Sequence, residues 1–374
     1  MGAGAQQAYL VPYLGRVTNW SQVACGAVIA TVYFSMLIFR LVNIYLFPRW
    51  SDRRFTIVGA LTYVFFTVAM FVVPYVQAWS FAMVAAFLWG MGGAMMWTGT
   101  SMQTLDISDK AGSRHGTSMG ILYSSTHLGW LIGAIGLGII YDALSVETSQ
   151  LLYAAAAAVT LIGNILTCFI PATGPALRET PALSGLLEMM AHPRALVSGI
   201  LQFTSALGYG LVLGVFGKYI EDTYGSAWIG RAIWLYPAVR MVLSFFGGYF
   251  ADRFGHTPVL ITGFLASAAG LGVTIVWVSP FAVLITVGTL GLLSSTVPVV
   301  AAAMVGDAAG ISRRPLAYGI VFAWRDLGVG VAAIGASLLG LSLDFDAVFT
   351  IFICIFGGCG LLSVYLGRFA NQDI

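Results

Sequence analysis

Eleven stretches of this chain, each about 20 residues long or more, are almost purely apolar, and that pattern limits the possible folds more than any other feature. They lie at roughly 22–46, 55–76, 78–104, 116–141, 149–171, 195–219, 227–250, 257–277, 280–305, 316–342 and 347–367. A helix needs about 20 mostly apolar residues to cross a bilayer, so each stretch predicts a spanning helix. None alternates with the two-residue period of a transmembrane barrel strand. Only 9% of the residues are charged, against about 25% in a soluble domain. The mean hydropathy of +0.90 agrees, and so high an apolar content excludes a disordered chain. The loops are too short to hold a soluble domain. The expectation is an all-α integral membrane protein.

Several functions drop out early. The net charge is only +2 and no basic stripe is present, which excludes nucleic acid as a partner. Cys25, Cys168, Cys354 and Cys359 form no CxxC pair, so neither a metal site nor a disulfide framework is expected. The sequence has no HExxH, GxSxG or Walker A motif, so it predicts neither an enzyme nor an ATP-driven pump, and no cofactor. No filter repeat or ring of like charge suggests a channel.

The chain also repeats itself. Arg40, Asp52 and Arg53 recur as Arg240, Asp252 and Arg253 at an offset of 200. Gly120, Leu128, Gly129 and Gly136 recur as Gly319, Leu327, Gly328 and Gly335 at an offset of 199. Internal repeats of this kind are typical of secondary transporters. Between the copies, residues Pro171 to Arg194 are polar and rich in proline, which predicts a linker, with Ala182 to Met190 as a short interfacial helix. The expected organisation is an N-terminal transmembrane bundle over 1–171, a cytoplasmic linker over 172–194 and a C-terminal bundle over 195–374. The first-half partner of 195–219 falls at about −5 to 19, so residues 9–15 read as the outer end of a truncated first helix. Either the sequence is shortened or the protein has eleven full spans; no signal peptide is visible.

At the repeated loops the chain resembles the major facilitator superfamily, whose loop between the second and third helices reads like G-x-x-x-D-R-x-G-R-R. The second copy, Gly248-Tyr-Phe-Ala-Asp252-Arg253-Phe-Gly255-His256, matches except at His256. The first copy, Pro48-Arg49-Trp50-Ser51-Asp52-Arg53-Arg54, lacks the leading glycine. The resemblance covers nearly the whole chain. It implies two pseudo-symmetric six-helix bundles, alternating access, and a gating role for Asp52, Arg53, Gly248, Asp252, Arg253 and Gly255. With the 47–54 loop on the cytoplasmic side, eleven basic residues lie inside and three outside, a positive-inside bias. The expected place is a bacterial inner membrane with the C-terminus cytoplasmic, and the expected partners are the lipid bilayer, a small-molecule substrate and protons.

Arg40 and Arg240 each precede their loop aspartate by twelve residues, about 18 Å along a helix and so near mid-bilayer. Arg325 and Asp326 lie comparably deep, and Asp326 corresponds to His127 at an offset of 199. Charge at such depth costs at least ~2.5 kcal/mol and marks a cavity or a partner. One reading has Arg40, Arg240 and Arg325 bind an anionic substrate, because the guanidinium fork matches carboxylate or phosphate oxygens. In the other reading the arginines hold helices together. Asp326 and His127 are the candidates for coupling or an internal ion pair, histidine because it titrates near neutral pH. The alternative functions are a drug or metabolite–proton antiporter, or a transporter-like protein with a receptor or assembly role. The lack of any Lys or Arg between Arg54 and Lys110, and of a Gly-Pro pair at 133–136, counts against the antiporter.

Overall fold

Inside a bilayer every backbone N–H and C=O must be paired within the protein, so a long apolar run has little choice but to become a helix. The structure, a computed structural model, describes residues 2–145, 147–171, 179–213, 215–224, 226–342 and 344–367. Among these residues all regular structure is helical. The order is α1 (Gly2–Val17), α2 (Gln22–Leu46), α3 (Asp52–Val76), α4 (Trp79–Lys110), α5 (His115–Ala143), α6 (Leu151–Thr167), α7 (Leu183–Ala191), α8 (Pro193–Leu213), α9 (Val215–Tyr224), α10 (Ser226–Phe254), α11 (His256–Val276), α12 (Pro280–Ala308), α13 (Arg314–Ser342) and α14 (Phe345–Gly367). Eight helices among the described residues are long and apolar enough to cross a membrane, and α6 is a shorter apolar one.

One expected span differs in extent. The run at 149–171 is helical only over Leu151–Thr167, because residues 168–170 turn. The run at 195–219 is helical over Pro193–Leu213 and Val215–Tyr224, and residue 214 lies outside the described residues. Helix α1 covers residues 9–15, and α7 occupies the place expected for the linker helix. Linker residues 172–178, Arg178 among them, lie outside the described residues, as does Arg368.

The chain forms two compact units. The first comprises Met1–Gln103 and Leu128–Arg178. Here α1 packs on α2 and α6, and α3 packs on α6. Tyr13 donates its hydroxyl to the Met70 carbonyl at 2.8 Å, and Trp89 stacks on Phe66 at 4.2 Å. The second unit comprises Thr104–His127 and Glu179–Ile374. In it α8 packs on α13, α11 on α14, and α10 on α12. Buried hydroxyls bind neighbouring helices: Ser267 donates to the Thr289 carbonyl at 2.8 Å, and Thr274 meets Thr286 at 2.6 Å. Residues 104–127 belong to the first copy of the sequence repeat, yet by contact they join the second unit.

The start of α5 crosses α10 almost backbone to backbone. A Cβ on Gly248 would collide with the Gly116 carbonyl, and one on Gly120 would come within 2.8 Å of the Ser244 carbonyl. Small residues permit such an approach, and larger ones forbid it.

The two Asp-Arg loops are built differently. In the first, Pro48 cannot extend a helix, so α2 stops at Leu46, and Ser51 caps α3 by accepting from the Arg54 N–H at 3.3 Å. Asp52 is therefore the first residue of α3. In the second, no proline intervenes and α10 continues to Phe254, which leaves Asp252 in its last turn. The reversal into α11 falls on Gly255 at φ 87° and ψ 165°, a region essentially closed to residues with a Cβ. Gly255→Ala should therefore destabilise the protein by ~1–3 kcal/mol. Gly272→Ala, within α11 where a Cβ meets nothing within 4 Å, should not. Thermal unfolding of the two variants in detergent compares them directly.

Candidate functional site

In the second unit the deep charged residues gather around His127. Arg240 lies one turn beyond Tyr236 on α10. Its guanidinium sits 5.6 Å from the Tyr209 ring and 5.3 Å from the Tyr236 ring, and it donates to the Ser294 carbonyl at 3.5 Å. Tyr236 donates to the Ser294 hydroxyl at 2.6 Å, which fixes the ring beneath the arginine. His127, on α5, is buried beside Tyr123, and the charges acting on it are those of Arg240 and Arg325. Arg325 stays partly open, with 23% of its side chain exposed. Asp326 is completely buried, and its carboxylate lies 3.8 Å from Arg325, a loose ion pair. Two guanidinium charges thus act on one imidazole, and the Asp326 carboxylate lies beside Arg325.

Arg40 lies within the first unit, on α2, at 1% exposure, and its charge acts on Tyr63. Tyr63 in turn packs edge-on against Trp89 at 5.3 Å.

The loop residues take distinct parts. Asp252 caps α5: its carboxylate accepts from the Gly116 N–H at 2.8 Å, the Thr117 N–H at 2.7 Å and the Thr117 hydroxyl at 2.6 Å. A negative charge on these N–H groups also opposes the positive end of the helix dipole. Gly248, one turn earlier, makes the close crossing that brings the carboxylate there. Gly255 makes the reversal into α11. Arg253 donates to the Tyr249 hydroxyl at 3.1 Å, and Arg53 donates to the Cys168 carbonyl at 2.5 Å, closing the end of α6.

A second cluster at this same end was not expected from the sequence. His115, the first residue of α5, is buried, with Nδ1 2.6 Å from Asp307 and Nε2 2.8 Å from Asp109. Asp109 also holds Arg314 through both oxygens, and Arg314 donates to the Gly306 carbonyl at 2.8 Å. His256, the residue that departs from the loop motif, faces the other oxygen of Asp307 at 3.2 Å. Beside this cluster a cavity of about 440 Å³ is lined by residues of the α12–α13 turn and by Glu179. Glu179 accepts from Arg313 and from the Ser312 hydroxyl, each at 2.8 Å, and these bonds hold its carboxyl below the usual carboxylate range. The signal for the cluster was present: His115 and Arg314 are related by the offset of 199. Its members come from five helices, however, and no motif joins them. Among the described residues no group of His, Cys, Asp or Glu is placed to hold a metal ion.

A duplicated set of apolar helices, with buried arginines and paired Asp-Arg loops, defines a polytopic membrane protein of the transporter kind. The sequence profile of the Major Facilitator Superfamily matches residues 1–226 and 198–370, and the chain belongs to that family. The family is one of integral membrane transporters rather than enzymes. The multidrug resistance protein MdtH of Klebsiella pneumoniae is 27% identical over 161 residues, 42% of this chain and 40% of that protein. MdtH of Yersinia pestis is 34% identical over 89 residues, 22% of each chain. The matched part thus spans well under half the length of these curated relatives. Crystal structures of the fucose:proton symporter FucP of E. coli share the fold, one with a TM-score of 0.77 at 15% identity, covering 100% of this chain and 96% of that one. Another, in the outward conformation, has a TM-score of 0.74 at 14% identity.

Asp252→Ala should remove the cap of α5 at a cost of about 1–2 kcal/mol. The expected readout is a lower unfolding temperature in detergent, with faster amide exchange at residues 116–118.

Proposed function

We propose that the chain carries a small organic anion across the membrane by alternating access, with Arg240 and Arg325 as binding groups of the second unit and Arg40 as the basic group of the first. The observation that supports this most is the pair of arginines around buried His127. Fixed charge at this depth is costly and marks a cavity or a partner, and the guanidinium fork suits the oxygens of an organic anion. The tyrosine rings around Arg240 suit an organic body attached to the anionic group. Arg40, at 1% exposure, takes part only after the groups that bury it move.

The relatives' description as multidrug resistance proteins favours a second reading, proton-coupled export of uncharged or cationic compounds. Uptake into proteoliposomes with matched panels of organic anions and cations separates the two. Under the anion reading Arg240→Gln and Arg40→Gln each lower anion transport by about 10-fold or more, the value of a lost charge-assisted hydrogen bond. Arg240→Lys keeps weak binding, since the charge remains while the fork is lost. Normal transport by both Gln variants, or a cationic substrate, overturns the reading.

The Asp-Arg loop end is taken as cytoplasmic, which sets the C-terminus inside. With bacterial relatives, the place is an inner membrane. On this reading the Asp252 cap is a latch. Asp252→Asn keeps the shape but loses the charge and one acceptor. Slower transport with near-normal substrate binding is the expected result; equal loss of both would show a direct role in binding.

A further inference from the structure

We propose that His115, clamped between Asp109 and Asp307, is a proton-binding site whose protonation keeps this end of the helices closed. The inference rests on the alternating-access reading above and names the residue through which protons act on that cycle.

The geometry carries it. Both ring nitrogens of His115 face carboxylate oxygens, Asp307 at 2.6 Å and Asp109 at 2.8 Å. A carboxylate only accepts, so both nitrogens must donate, and only the imidazolium has two N–H groups. The charges agree. Asp109 and Asp307 bring two negative charges, and Arg314 supplies one positive. A protonated His115 supplies the second and leaves the cluster neutral. When the ring loses a proton, one bare nitrogen lone pair faces a carboxylate in a buried place, and one negative charge stands uncompensated. The other charged groups here do not substitute. His256 reaches the far oxygen of Asp307 at 3.2 Å and is more open to water. Asp252 faces the N–H groups of Gly116 and Thr117. Asp106 and Lys110 pair with each other on the exposed side of α4 at 2.8 Å.

The place of the cluster gives the protonation its effect. Asp109 and His115 belong to the first copy of the repeat, while Asp307, Arg314 and His256 belong to the second. The cluster is thus one of the bonds that hold residues 104–127 in the second unit. Gly306 lies under the ring so closely that a Cβ there would come within 2.9 Å of it. The ring therefore has little room to turn away from its carboxylates. Losing the proton weakens α4 and α5 against α11, α12 and α13 together, which is the step that opens this end. Closure is present on the acid side of the ring's titration and is lost as the pH rises through it.

The test uses the purified full chain in detergent without any solute, so its outcome does not depend on which substrate class is right. Amide hydrogen exchange at residues 104–120 and 304–316 is followed from about pH 5 to about pH 8, the range in which histidine titrates, after correction for the intrinsic pH dependence of exchange. In the natural protein the protection should fall by about 10-fold or more across that range, equivalent to ~1.4 kcal/mol. His115→Gln should give low protection with no pH step, and His256→Gln should keep the step. Should His115→Gln fail to fold, Asp307→Asn serves instead: with one carboxylate neutral, the step moves to lower pH. A natural protein without a step, a step that persists in His115→Gln, a step lost in His256→Gln, or an unmoved step in Asp307→Asn each overturns the proposal.

Discussion

The close crossing of α5 over α10 is the contact on which the rest of the second unit's chemistry depends. Gly116 and Gly120 meet Gly248 and the carbonyl of Ser244 at distances that leave no room for side chains. Further along the same face of α5, Ser124 donates to the Met241 carbonyl at 2.6 Å, and His127 comes under the charge of Arg240. Positions 116, 120, 124 and 127 share one helical face because they are spaced by four, four and three residues. One antiparallel seam therefore sets both the Asp252 cap at one end and the basic group around His127 at the other. A residue that widened the seam would disturb both places at once.

The buried arginines show how an apolar protein tolerates fixed charge. Arg240 spreads its charge over two tyrosine rings and a backbone carbonyl. Each of these contacts is individually weaker than a buried ion pair. Arg325 and Asp326 follow another course, being neighbours in sequence at 3.8 Å, with the carboxylate the more deeply buried of the two. The membership of the chain in the Major Facilitator Superfamily fits both solutions, since transport needs charge that can be rearranged.

Much of the fold was legible because the bilayer leaves so few alternatives: long apolar runs, spaced by short loops, became helices close to where they were expected. The misjudged end of α6 has a physical cause. Apolar composition continues past the last helical turn of α6 into residues 168–170, and hydropathy cannot see a turn made of apolar residues. In the charged parts, the Asp-Arg repeat pointed to Asp252, whose cap on α5 is plain in the structure. It could not show that Asp52 opens its own helix, a difference made by Pro48 and Ser51. The cluster around His115 was hidden for a different reason. Asp109, His115, His256, Asp307 and Arg314 are separated by up to 205 residues and gain meaning only once packed. Even so, His256 stood out as the one break in the loop motif, and its partner, Asp307, accounts for the break.

The two Asp-Arg reversals, similar in sequence, differ in how much slack they contain. One passes through Phe47 to Ser51 and ends in an ordinary serine cap with no residue at positive φ. The other turns on the single glycine at position 255, with helix on either side. A hinge with spare residues absorbs strain locally, whereas a one-residue hinge passes any movement of α10 straight into α11. The duplicated halves of this chain are therefore unequal as machines: the second behaves as a stiff lever and the first as a jointed one.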